Sequence, residues 1–407
     1  MQTISTAVRT DDTFLADASF HAAGVPEAVR REGATPFTVS IGTTPEAVAA
    51  LAPEWHALEL LSGDKSIFQS HAQITAWAEH YPSGRSALEL RVIVVRENGR
   101  AVLILPLAYG RSALVRVAGL AGDPIGQYSD VLADGIADGA GAFAVALDAA
   151  REAGIDLISL RRVRDDSTLL EIGASRLSAV GGRSAAPTGD LTPFADYPAY
   201  LKSRSKNMRK GLRNRHHHLE KAGDVAFHLF EGGPEAREAL ADAFNLKREW
   251  LIQRGAVSTA FLDARMVSCL LDMAGRPGAI AMLLTVDGSP AAIRFGFEYG
   301  NTYFAYLSAY EPDHAILAPG KMLMDFYLSK FRERGISRVD MLPPRDRHKT
   351  DWCDTEVGVE DYVIALSPRG RLYGDVYQKR VRPYLSRSWK RLPDTVRSCL
   401  TAILIHV

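Results

Sequence analysis

The densest run of chemistry-bearing residues lies at 317–352, LAPGKMLMDFYLSKFRERGISRVDMLPPRDRHKTDW. Ala318, Pro319, Gly320 and Lys321 open it. The apolar residues Met322, Leu323, Met324, Phe326, Tyr327, Leu328 and Phe331 follow at helical spacing, and Gly335 is a natural stop. Proline suits the first turn of a helix, whose leading N–H groups have no intrahelical acceptor. Gly320 has no side chain, so a ligand can come close to the backbone there. The open N–H groups and the positive helix end favour an anion, and Lys321 adds a charge. The spacing predicts a phosphate-binding turn. The alternative is that Pro-Gly is ordinary punctuation before a helix.

Further candidates surround this turn. Asp340 lies on the strand expected at 336–342, and Arg345, His348, Lys349, Asp351 and Trp352 follow in a loop. Such a density of polar groups beside a tryptophan suits recognition of a sugar or a phosphate; an ordinary polar loop is the alternative. On the strand expected at 291–299, Ala292, Arg294, Gly296 and Glu298 alternate with Ile293, Phe295, Phe297 and Tyr299. With the aromatic face in the core, Arg294 and Glu298 face a cleft; otherwise they form a surface pair. Phe304, Tyr306 and Ser308 share a side of the next strand, and Glu298 or Tyr306 could act as base or acid. His216, His217 and His218 are consecutive, so a helix splays them by about 100° per residue and they make a poor joint metal site. The sequence shows no zinc spacing, Ser-His-Asp order or Walker loop, and no metal is expected.

The elements that must position these groups fall into two similar series. Segments 280–286, 291–299 and 302–308 read as strands joined by the hairpin signals Asp287-Gly288 and Gly300-Asn301. They lead into the helix at Pro319. The first half offers a strand at 37–41 and a helix from Pro45, capped by Thr44, to about Leu61. A helix at 68–80, a hairpin of 90–95 with 101–109 and a strand at 114–117 follow. Next come a polar, turn-rich stretch at 122–131, a helix at 141–153, an apolar strand at 155–160 and a helix at 168–180. Each half should form its own sheet flanked by helices. Between them, 197–221 reads as one long basic helix with Leu201, Met208, Leu212 and Leu219 inward, and Lys202, Lys206, Arg209 and Arg213 on another face. That face is either solvated or a ridge for an anionic substrate. The expected division is a mobile tail at 1–36, an N-terminal domain at 37–196, the basic connector at 197–225, a C-terminal domain at 226–366 and a basic tail at 367–407.

With 407 residues, 47% hydrophobic and 24% charged, the chain can bury a sizeable core, and its net charge of zero gives no overall attraction for nucleic acid or membrane. Any such contact must be local. The tail is the candidate: Arg371, Lys379, Arg380, Arg382, Arg387, Lys390 and Arg391 are interleaved with Tyr373, Tyr377, Tyr384 and Trp389, and 400–405 could serve as an apolar anchor. The alternative is a helix that closes back on the fold. Cys269, Cys353 and Cys399 are an odd, scattered set, which points to a reducing cytoplasm. Asp11, Asp12 and Asp17 interrupt the start where a secretory signal would need an apolar run.

Taken together, SKNMRKGLRNRHHHLEKAG, the strand pairs, LAPGKMLMDFYLSKFRERGISRVDML and HKTDW resemble the FemAB-like branch of the GNAT acyltransferase superfamily, and within it the CelD-like group of polysaccharide and envelope biosynthesis. The resemblance spans roughly 37–366. It implies an α/β (α+β) fold of tandem GNAT-like domains, each a mixed, largely antiparallel sheet flanked by helices. It also implies acyl-CoA (acetyl-CoA) as co-substrate, with Ala318, Pro319, Gly320 and Lys321 in the place of the family's pyrophosphate loop. Met322 stands where that loop carries its second glycine. The implied activity moves an acetyl or longer acyl group to an amino group on a sugar, polysaccharide or envelope precursor. Asp340, Tyr306 and Glu298 are then the catalytic candidates, with Asp340 bonded to the acceptor amine or orienting His348. Arg294, Arg345, His348, Lys349, Trp352, Lys206 and Arg209 would bind substrate. The setting would be the cytoplasm or the inner face of the plasma membrane, with peripheral contact to anionic lipid. Two alternatives remain: an aminoacyl-tRNA-dependent ligase, against which the lack of a heptad insertion counts, and a non-enzymatic nucleotide sensor on a degenerate scaffold.

Overall fold

The computed structural model describes residues 36–62, 67–82, 88–110, 114–134, 138–253, 263–381 and 384. The expected tail at 1–36 lies almost wholly outside them, as do Cys399 and the stretch 400–405. The first half runs β1 (Phe37–Gly42), α1 (Pro45–Ala50), α2 (Ala52–Ser62), α3 (His71–His80), β2 (Leu88–Glu97), β3 (Arg100–Gly110), β4 (Val117–Leu120), β5 (Leu132–Ala133), α4 (Gly139–Glu152), β6 (Leu157–Arg164), α5 (Thr168–Gly173), β7 (Ser178–Ala179) and β8 (Ser184–Asp190). Two helices, α6 (Tyr197–Ser203) and α7 (Lys206–Leu219), connect it to the second. There follow β9 (Val225–Glu231), α8 (Gly233–Gln253), α9 (Ala264–Ala274), β10 (Ala279–Val286), β11 (Ser289–Tyr299), β12 (Thr302–Tyr310), α10 (Pro319–Leu328), β13 (Arg338–Asp340), α11 (Arg347–Thr350), β14 (Thr355–Ala365) and α12 (Pro368–Leu372).

The strands make one sheet, not the two expected. Its order is β1-β2-β3-β4-β6-β14-β8-β13-β12-β11-β10-β9. Read from either end, the pattern is the same. Three antiparallel pairings lead to one parallel pairing, β4 with β6 and β12 with β13. An antiparallel strand then closes each series, β14 on β6 and β8 on β13. The unit is therefore duplicated, and the closing strands are exchanged: β8 precedes β9 in the chain but completes the second series, while β14 completes the first. The two exchanged strands pair with each other at the centre.

Local signals explain most elements. The Thr44 hydroxyl accepts from the Ala47 N–H at 3.2 Å and caps α1, which Pro45 opens. Asn98-Gly99 turns β2 into β3 with both residues at positive φ. Other expectations are corrected. The helix expected at 168–180 stops at Gly173, because the chain must turn back to place β8 in the sheet. The single basic helix is two. Arg204 is extended, and Ser205 caps α7 by accepting from the Met208 N–H at 3.2 Å. Met208, Leu212 and Leu219 point inward as expected. Residues 367–381, assigned to a tail, are packed on the sheet, with Gly370, Gly374 and Gln378 buried.

Helices cover both faces. Trp55, Ile74 and Trp77 of α2 and α3, Leu240 and Phe244 of α8, and Leu270 and Met273 of α9 share one apolar cluster with Ile293, Phe295, Phe297 and Phe304. On the opposite face of the second half, Met208 and Leu212 of α7 and Met322, Leu323 and Tyr327 of α10 pack on Met282, Ala292, Tyr303 and Ala305. In the first half α4 covers Ile93, Leu103 and Leu105 of β2 and β3. Thus α4 and α10 hold matching places in the two series.

Candidate active site

The site begins where β12 and β13 part. Their parallel pairing runs from Thr302↔Arg338 to Phe304↔Asp340 and ends there. Beyond it the Met341 N–H bonds to the Pro187 carbonyl on β8, and Leu342 turns the chain away at φ +57°. β12 continues to Tyr310, so a notch opens beside its second half.

A bulge adjusts that half. Phe295 pairs with Leu307 and Gly296 with Ala305, leaving Tyr306 as the extra residue. The bulge corrects the expectation that Phe304, Tyr306 and Ser308 share a side. Tyr306 packs edge-on against Phe295 and Phe297 at 6.4 and 5.6 Å. Ser308 instead turns toward α10, where a Cβ on Gly320 would lie only 2.9 Å from its Oγ. A side chain at position 320 would therefore displace the Ser308 hydroxyl.

α10 starts at this notch. Its N-cap, Ala318, sits at φ +48°, ψ +53° and supplies no capping side chain. A left-handed alanine is strained, and such strain concentrates at functional turns. Beneath the first turn lies Arg294, 6% exposed, whose Nη2 reaches the Gly320 carbonyl at 3.3 Å and whose Nε has no partner. Burial works against its charge, with partial relief from Tyr303. A buried cation with an unpartnered N–H beside an uncapped helix end is suited to an anion. The matching helix lacks this property. The Asp138 carboxylate caps α4, accepting from the Gly141 N–H at 2.8 Å, and so already fills the anion's position.

The other expected residues are distributed unevenly. Lys321 is held by Asp351 at 2.6 Å and lies 6.0 Å from the Trp352 ring centre, so it ties the 343–352 segment to α10. Trp352, expected to bind acceptor, is 2% exposed and its carbonyl accepts from the Tyr200 hydroxyl at 2.7 Å; it is a core residue. Lys349 donates to the carbonyls of Leu342 and Pro344 at 2.8 and 3.1 Å, and desolvation lowers its pKa. His348 is exposed and lies 3.3 Å from Asp346. Its pKa is lowered by partial desolvation and by the Arg294 charge, against the opposing effect of Asp346. Arg345 pairs with Glu356 away from the notch. Lys206 is exposed on α7, and Arg209 reaches the Lys202 carbonyl at 3.4 Å.

Two catalytic candidates are engaged elsewhere. Glu298 accepts from the Tyr327 hydroxyl at 2.6 Å and from Arg334 at 2.6 and 3.0 Å; it neither pairs with Arg294 nor faces open solvent. Asp340, 3% exposed, accepts from the Tyr128 hydroxyl at 2.7 Å, Arg164 Nη1 at 2.6 Å and the Leu342 N–H at 2.8 Å. These bonds hold it away from His348, whose carboxylate partner is Asp346. Burial raises its pKa, and Arg164 leads the groups that oppose the rise. The Tyr306 hydroxyl donates to the Ile125 carbonyl at 2.9 Å, and burial pushes its pKa far up, so it stays protonated.

Sequence reasoning missed Arg164, Tyr128 and Gln127. Arg164 ends β6, stacks over the Tyr128 ring at 4.9 Å and also binds Asp166 at 2.8 Å. Gln127 and Tyr128 lie in the turn-rich stretch that the first half sends across Tyr306. Its polarity, in an otherwise apolar series, was the signal available. A cavity of about 180 Å³ opens beside Asp340, lined among others by Arg164, Thr188, Asp190, Thr302 and Arg338. Phe304 also lines it and packs with α8 and α9, so this cavity lies on the face opposite α10.

Residues 206–350 match the family model described as acetyltransferase (GNAT) domain. No curated protein matches the sequence. Among solved structures, FemX is similar at TM-score 0.57 and 11% identity, over 80% of this chain and 98% of that one. A conserved protein of unknown function from Bacteroides thetaiotaomicron is similar at TM-score 0.52 and 12% identity, over 80% of this chain and all of that one. The tandem GNAT protein from the clavulanic acid biosynthesis pathway gives TM-score 0.47 at 13% identity, over 81% and 99%. At these identities the likeness to FemX and to the Bacteroides protein is one of fold. The chain is a mixed α/β sheet of duplicated plan flanked by helices, and its segment 206–350, which carries the notch and the start of α10, matches the GNAT acetyltransferase domain model.

Proposed function

We propose that the protein transfers an acetyl or longer acyl group from acyl-CoA to an amino group on a sugar or envelope precursor, with one donor site, in the second half. The observation that carries this reading is the contrast between the matching helices. α10 has an uncapped start above the buried Arg294, while α4 is closed by its own Asp138. The donor's pyrophosphate would rest on the first turn of α10, with its acyl arm entering the notch beside β12. The acceptor would approach from the opposite face through the cavity at Asp340, whose arginines, threonines and acids suit a hydroxylated amine.

The chemistry needs few groups once both substrates are oriented. The amine nitrogen attacks the thioester carbonyl carbon and gives up a proton. The C–S bond then breaks, and the sulfur leaves as a thiolate that is protonated. His348, whose pKa desolvation lowers, is the acceptor for the first proton. Tyr306, held protonated, is the donor for the second. Asp340 keeps Arg164 and Tyr128 in place at the vertex of the notch. The test is release of free CoA thiol from acetyl-CoA with a panel of amino sugars. Acceptor-dependent release that Arg294→Ala abolishes supports the reading. A folded protein that binds no acyl-CoA overturns it.

The exposed cations of α6 and α7, Lys202, Lys206 and Arg213, favour a second reading, in which the acyl donor is an aminoacyl-tRNA. Binding of charged tRNA that weakens steeply with salt would favour that donor over CoA.

A further inference from the structure

We infer that the segment 368–381 is a docking face for an anionic lipid surface. α12 continues directly into a π-helical stretch, Tyr373–Val381. The segment packs the wrong way round for an ordinary surface helix. The residues turned to the sheet are Gly370, Gly374 and Gln378. Gly370 approaches so closely that a Cβ would lie 1.8 Å from the Asp156 carbonyl oxygen. The large apolar residues point outward instead: Leu372 is 67% exposed, Val376 45% and Val381 38%. A helix that buries glycines and exposes leucine and valine gains nothing from that choice in water alone.

Charge identifies the occupant. With the inward residues spaced by four, the outermost stripe is Leu372, Val376 and Arg380. Arg371, Asp375 and Lys379 flank it on one side and Tyr373, Tyr377 and Val381 on the other. Arg369, Arg371 and Arg380 are exposed, while the one carboxylate of the stretch, Asp375, is paired with Lys379 at 2.8 Å. The sequence beyond adds Arg382, Arg387, Lys390, Arg391 and Arg397 against Asp394 alone. An apolar stripe bordered by arginines fits the headgroup region of an acidic bilayer, where apolar side chains insert and cations meet phosphates. It does not suit a second copy of the same face, which would set like charges against each other.

The test is co-sedimentation of the full chain with vesicles of phosphatidylglycerol mixed into phosphatidylcholine, and with phosphatidylcholine alone, at low and high salt. The expected result is sedimentation with the acidic vesicles at low salt and release at high salt. Leu372→Asp with Val376→Asp should lower the bound fraction at least tenfold with an unchanged melting temperature. The milder pair Leu372→Ser and Val376→Ser should reduce it in the same direction if the first pair fails to fold. Absence of sedimentation with acidic vesicles, equal binding to both vesicle types, or unchanged binding by the variants overturns the inference. So does a dimer in analytical ultracentrifugation that the variants dissociate, which would assign the face to a second copy. None of these readouts depends on acyl transfer.

Discussion

Arg164 on β6 and Asp340 on β13 are 176 residues apart and meet in a 2.6 Å ion pair. The two strands hold matching places in the duplicated series, so the pair ties one half to the other beneath the exchanged strands. Removing Asp340 leaves the buried Arg164 to Asp166 alone and the Tyr128 hydroxyl without its acceptor. Asp340→Ala should cost about 1–3 kcal/mol in urea unfolding. Replacing both residues with apolar ones of similar volume should recover most of the loss. A double-mutant cycle checks this, and an Asp340→Ala loss of activity at full stability would instead make Asp340 a catalytic base.

Glu298 should behave as a structural carboxylate. Its oxygens take three donors from Tyr327 and Arg334. Glu298→Gln should lower stability by about 1–3 kcal/mol through weaker charge-assisted bonds. The shape of the kcat/KM pH profile should not move. Loss of a titrating limb in that profile would place Glu298 in the chemistry.

His348 should supply the acidic limb of the same profile. Its folded pKa is lowered, chiefly by desolvation, so the neutral, proton-accepting form persists below the ordinary histidine range. Activity should fall as pH drops through that lowered value, and His348→Gln should flatten the limb while leaving acyl-CoA affinity intact. An unchanged limb in the variant assigns the titration to another group.

Stability should fall as pH rises between about 4 and about 6. Burial pushes Asp123 and Asp130 each up to about 6, so over that window the folded state holds protons that the unfolded chain, near its ordinary value of 3.8, has released. The sign is opposite for Glu231, whose pKa Arg334 lowers; its contribution is lost as pH falls below the ordinary glutamate value. Asp123→Asn should therefore shrink the decline in melting temperature from pH 4 to pH 6. A melting temperature that rises across this window in the wild type contradicts the assignment.

Much of this was legible because local chemistry and tertiary need agreed. The Asp287-Gly288 and Gly300-Asn301 turns, the alternation around Arg294 and the Pro319 helix start all follow from adjacent residues. The rest depended on distant partners. β8, SAAPTGD, has a proline and a glycine and little apolar content, so nothing local marks it as a central strand. It is recruited by β13 and β14 on either side. The bulge that redirects Ser308 has no sequence mark in β12 and exists only through its pairing with β11. Trp352 and Lys321 looked like ligand contacts by composition, yet the tertiary structure occupies both.

In the proposed function the acyl donor rests on the first turn of α10. Calorimetric titration of acetyl-CoA into the wild type and into Gly320→Asp tests it most directly. The substitution sets a carboxylate where a phosphate would lie and crowds Ser308, whose Oγ is 2.9 Å from the new Cβ position. The variant should keep its fold and lose acetyl-CoA affinity by a factor of at least about ten, equivalent to about 1.4 kcal/mol. Asp138→Ala, at the start of the matching helix α4, should leave that affinity unchanged. Equal affinity in the wild type and folded Gly320→Asp would contradict a donor site on this turn.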